Sequence, residues 1–69
     1  MHDAEQDDRL IPEPRVRARY GVSDMTLWRW DHNPALNFPA PIRINGRKYR
    51  RLSELVAWER ARAAQQQAA

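Results

Sequence analysis

Apolar residues along this 69-residue chain recur first at helical and then at strand spacing. Val16 and Tyr20 stand four apart, one stripe on a helix of about two turns. Pro14 suits that helix's first turn, and Pro12 restricts the backbone leading into it. Gly21 follows Tyr20, where a helix end favours a residue that tolerates positive φ. Ser23 can cap a second helix, Asp24 to Asp31, with the Asp24 carboxylate against the positive end of its dipole. With Leu27 inward, Trp30 and Asp24 lie within about 60° of it, and Met25, Thr26, Trp28, Arg29 and His32 form the outward face. A rotated helix would turn Trp28 into the core instead. Asn33-Pro34 ends the helix.

A proline-punctuated loop over 33–41 follows, with Leu36 and Phe38 as core anchors. The period then changes to two. Ile42 to Arg50 alternates around Asn45-Gly46, which predicts a two-residue type I′ hairpin pairing Ile42 with Tyr49, Arg43 with Lys48 and Ile44 with Arg47. Ile42, Ile44 and Tyr49 are expected to pack on the helices, leaving Arg43, Lys48 and Arg50 as a basic ribbon with Arg47 at its tip. Ser53 can cap a third helix from Glu54, buried through Leu52, Leu55, Val56 and Trp58. The pattern predicts a small, mainly α, α+β domain over 10–63: helix, turn, helix, two-stranded hairpin, helix. Residues 1–9 read as a disordered acidic arm and 64–69 as a frayed tail.

Composition removes most functions. The chain lacks cysteine, which excludes disulfides, thiol nucleophiles and cysteine-bound zinc. It has no apolar run of about 18 residues, so no membrane span is expected, and its acidic start is unlike a secretory signal. A cytoplasmic location is the expectation. The histidines, His2 and His32, have no metal-ligand companions at useful spacing. The two glycines, Gly21 and Gly46, make no phosphate loop. No enzyme activity, cofactor, metal or small-molecule ligand is expected.

Charge points elsewhere. The net +3 hides an acidic residues 1–8 and a strongly basic 9–51, while 52–69 is neutral. A polyanion is the first partner such a segment suggests, although a basic surface kept for solubility has the same composition. A capped short helix with Arg29 outward is suited to the major groove of double-stranded DNA. There Arg29 can bond guanine, while Met25, Thr26 and Trp28 touch thymine methyls or sugars. Arg43, Lys48 and Arg50 can follow phosphates, and Arg47 can enter a minor groove. Arg15, Arg17 and Arg19 are either phosphate contacts or solvated charges.

The ordered series Arg19-Tyr20-Gly21-Val22-Ser23, Thr26-Leu27-Trp28-Arg29-Trp30, Phe38-Pro39-Ala40-Pro41, Asn45-Gly46-Arg47 and Leu52-Ser53-Glu54-Leu55-Val56-Ala57-Trp58 resembles the AlpA/excisionase-type, MerR-like winged helix-turn-helix domains. The resemblance runs from about Leu10 to Arg62. It implies a prophage or mobile-element regulator that binds DNA with its second helix and wing. By position it makes Met25, Thr26, Trp28 and Arg29 helix contacts, and Arg43, Arg47 and Lys48 wing contacts. Asp24 and Arg17 depart from the family's pattern, which is basic or neutral at the first position and small at the second. The expected function is sequence-selective DNA binding as a transcriptional regulator. The alternatives are an excisionase that bends DNA and recruits an integrase, a small terminase-type packaging subunit, and a protein-interaction module using Trp28 and Trp30. Reading few base pairs, one such domain is expected to act at repeated sites or beside neighbouring copies of itself.

Overall fold

Caps and turn residues set the element boundaries in the computed structural model, which describes residues 8–68, with side chains to Gln66. Strand β1 (Leu10–Pro12) runs directly into helix α1 (Glu13–Tyr20), with Pro14 in its first turn. Gly21 closes α1 at φ 65°, a left-handed conformation, and its N–H and that of Val22 meet the carbonyls of Ala18 and Arg17. Helix α2 (Asp24–Asp31) starts at Ser23, whose hydroxyl accepts from the Thr26 N–H at 3.1 Å. The loop after it contains a single 3₁₀ turn, Pro34–Leu36, begun by the Asn33 side chain accepting from the Ala35 N–H.

Strands β2 (Ile42–Ile44) and β3 (Arg47–Arg51) pair antiparallel in the expected register. Asn45 and Gly46 both have positive φ, 51° and 82°, as a type I′ turn demands. The sheet is larger than expected, however. β1 pairs antiparallel with β3, Ile11 opposite Arg50, so the order is β1-β3-β2 and the hairpin is part of a three-stranded sheet. With three α-helices among the described residues, the fold is a small, mostly helical α+β arrangement.

Helix α3 (Leu52–Ala68) follows Arg51 with no loop between. Ser53 is therefore not a preceding cap. It sits inside the helix, and its hydroxyl donates to Asp8 at 3.1 Å. The helix runs through residues 64–68 of the segment expected to fray, since Ala and Gln propagate a helix well without a buried stripe, and Ala69 lies outside the described residues. Residues 1–7 of the expected arm lie outside the described residues. Its last two are tied down: Asp8 accepts from Arg51 at 2.7 Å, and the Arg9 carbonyl accepts from the Leu52 N–H at 2.9 Å.

The core is small. Val16, Leu27, Phe38 and Leu55 are buried, with Ile11, Tyr20, Val22, Trp30, Leu36 and Trp58 packed against them. Tyr20, Trp30, Phe38 and Trp58 form an edge-packed cluster, with centroids 4.9 Å apart for Phe38 and Trp58 and 5.6 Å for Tyr20 and Trp30. The Trp58 indole N–H finds the Leu36 carbonyl at 3.0 Å, so the ring is packed without an unpaired donor.

Candidate nucleic-acid interface

The sheet presents the opposite face to the helices from the one the alternation suggested. Arg50 is fully buried, while Ile44 and Leu10 are exposed. Alternation separates two faces but does not say which is covered, and here burial follows the charge partners. Arg50 donates to Asp31 at 2.7 and 3.0 Å, to Glu13 at 3.3 and 3.2 Å, and to the Pro39 carbonyl at 2.7 Å. Its guanidinium carbon lies 5.1 Å from the centre of the Phe38 ring. Burial alone would lower the Arg50 pKa, but the hydrogen bonds to Asp31 and Glu13 outweigh it and leave the pKa raised. Arg50, expected on DNA, is thus a structural cation that joins α1, α2 and β3.

Lys48 lies two residues earlier, on the same face of β3 and opposite Arg43. Toward the hairpin turn this face becomes more exposed. Lys48 is half-buried, and Arg43 and Arg47 are exposed. Glu13, Asp24, Met25, Trp28 and Lys48 together line a cavity of about 330 Å³ between α2 and the sheet. A neighbouring groove adds Arg15 and Arg47 beside Lys48 and carries the cationic surface from α1 to the hairpin. Arg43 and Lys48 are like charges directly across a strand pair, an arrangement that weakens the free sheet.

On α2 the residues expected outward stand where the helical spacing put them, whereas Asp24, expected within about 60° of the inward Leu27, is exposed at the helix's first position. Met25 is 59% and Trp28 53% exposed, both large for side chains left in water, and Arg29 is exposed beside them. Thr26 is half-buried, with its hydroxyl accepting from Ser23 at 3.1 Å. Trp28 is stacked on one side. His32 stacks on it with ring centroids 3.9 Å apart, and the His32 Nδ1–H donates to the Trp28 carbonyl at 2.8 Å. A carbonyl oxygen only accepts, so the proton sits on Nδ1.

The arginines of α1 divide. Arg19 is held by Glu59 through two bonds of 2.6 and 2.8 Å, and Tyr20 donates to the same carboxylate. The bond from Arg19 lowers the Glu59 pKa, burial opposes it, and the bond from Tyr20 adds to the lowering. Burial first, then the bond to Glu59, pushes the Tyr20 hydroxyl well above the usual tyrosine range. Arg17 and Asp24 face each other at 3.7 Å. Arg15 is exposed.

Seven of the eight expected contact residues stand on the open surface or at its margin, and Arg50 does not. Glu13 and Asp24 also border the cavity beside Met25 and Trp28, which was not expected; for Glu13 the sequence carries no signal, because it is brought there by the β1–β3 pairing. Neither protein-family models, curated proteins nor solved structures give a match to this chain.

Proposed function

We propose that the protein is a winged helix-turn-helix domain that binds duplex DNA sequence-selectively, with α2 in the major groove and the β2–β3 hairpin on the adjoining backbone or minor groove. The observation that carries this reading is the cavity shared by Met25 and Trp28 of α2 and Lys48 of β3, whose two acids are Glu13, engaged by Arg50, and Asp24, faced by Arg17. It puts a face able to meet base edges next to a cation able to meet phosphate, which is the division of labour DNA recognition requires. The Arg43–Lys48 pair supports it from the energetic side. Two cations held opposite each other do nothing for the fold, and a polyanion removes their repulsion.

On this reading Arg29 bonds a guanine, Met25, Thr26 and Trp28 make apolar base or sugar contacts, and Arg43, Arg47 and Lys48 neutralise phosphates. The function is binding, as expected of a small transcriptional regulator of the AlpA/excisionase type, and the protein works where the cell's DNA is. The test is the affinity for a labelled duplex measured across a range of salt. Affinity should fall steeply, with a logarithmic slope of about 0.9 per phosphate contact. A flat response would turn the reading toward a protein ligand for the exposed Met25 and Trp28 face.

A further inference from the structure

We infer that Asp24 determines base preference, accepting a hydrogen bond from the exocyclic amino group of a cytosine in the major groove. This rests on the DNA reading and deepens it. Asp24 is the first residue of α2, its side chain is 86% exposed, and it borders the cavity lined by Met25, Trp28 and Lys48. The helix does not need it as a cap, because Ser23 already meets the Thr26 N–H. Its partner Arg17 stands at 3.7 Å, beyond the 2.7–2.9 Å or so of a charge-assisted hydrogen bond, so the carboxylate keeps acceptor capacity. The other acid of the cavity, Glu13, is occupied by Arg50.

The Asp24 carboxylate, which borders the same cavity as Lys48 and is only loosely opposed by Arg17, repels any phosphate that approaches it. What it can meet on a duplex is a donor. Guanine presents O6 and N7 to the major groove and thymine presents O4, all acceptors that an anion repels. Adenine sets its amino group beside the acceptor N7. Cytosine presents its amino group with no neighbouring ring acceptor, so it is the base that suits Asp24 best. The same carboxylate weakens non-cognate binding, since a wrong base leaves it desolvated against an acceptor.

The test is selection of bound duplexes from a random pool by the wild type, Asp24→Ala and Asp24→Asn, followed by affinities on the wild-type site and on random duplex. The wild-type consensus should contain a cytosine that Asp24→Ala no longer requires, with affinity for that site falling roughly 5- to 100-fold. Affinity of Asp24→Ala for random duplex at low salt should rise instead, because a repulsive charge has gone. Asp24→Asn should exchange the cytosine for adenine, whose N6 and N7 an amide bonds together. A role confined to the helix dipole or to Arg17 would change melting temperature but not base identity. Identical consensus sequences from all three proteins would overturn the inference, as would an equal loss on every sequence with Asp24→Ala. A wild type without affinity for any duplex at low salt overturns the DNA reading itself, and that result comes from the wild-type arm alone.

Discussion

Lys48 and Arg50 are neighbours on one face of one strand, both cationic, and the fold treats them oppositely. Arg50 is closed in by two carboxylates, a carbonyl and an aromatic ring. Lys48, 6–7 Å or so further along the strand, faces Arg43 across the sheet and an open cavity. A charge is tolerated in the interior only when its partners are built around it. Outside, a charge such as Lys48, with no ion-pair partner among the described residues, remains available to something else. The contrast shows that a basic stretch such as Arg47-Lys48-Tyr49-Arg50 cannot be assigned to one role by composition.

Arg50→Ala is the harshest test of that contrast. It leaves Glu13 and Asp31 without their shared cation, and the expected cost is about 3–5 kcal/mol, enough to unfold a domain of this size at room temperature. A urea melt within 1 kcal/mol or so of wild type would erase the distinction between the two cations. Arg29→Ala should leave the melt unchanged and lower discrimination by about 1–3 kcal/mol at one base pair. Competition between the selected duplex and single-base variants measures it; equal discrimination would mean that α2 faces another way. Lys48→Gln should act with opposite signs on the two properties. Relieving Arg43 stabilises the sheet by about 0.2–1 kcal/mol, while affinity falls alike on all sequences and the salt slope drops by about 1. A variant both less stable and unchanged in binding would place Lys48 with Arg50.

The smallest expected effect concerns acid. The Glu59 pKa is lowered in the folded state, so its contribution is fully present above the unfolded carboxylate value of about 4.3 and is lost as pH falls through the lower folded value. Glu59→Gln should therefore flatten the acid side of the stability profile slightly. Melts between neutral pH and the onset of acid unfolding measure it, and an unchanged acid limb would mean the exposed pair with Arg19 contributes nothing.

Local chemistry made part of this legible in the sequence. Ser23, Gly21 and Asn45-Gly46 act within a few residues of themselves, and the bounds of α2 and the hairpin register follow from them. The exposure of Met25, Trp28 and Arg29 followed from Leu27 pointing inward. The third strand was not legible. Leu10–Pro12 is three residues long, ends in proline, and pairs with a strand some forty positions away. The buried cation was hidden for the same reason. Glu13, Asp31 and Arg50 are far apart in the chain, and only the assembled fold brings them together. With that ion cluster unseen, hydrophobicity favoured the wrong face of the sheet.

The direct passage from β3 into α3 has a mechanical consequence. With no loop between Arg51 and Leu52, and Leu52 bonded to Arg9, no hinge separates the hairpin from a helix about 25 Å long. A junction of this kind couples the two as arms of one lever, so that a small tilt of the hairpin would become a larger sweep at the far end. A dye near Gln66 would then report, at a distance, on any tilt of the hairpin.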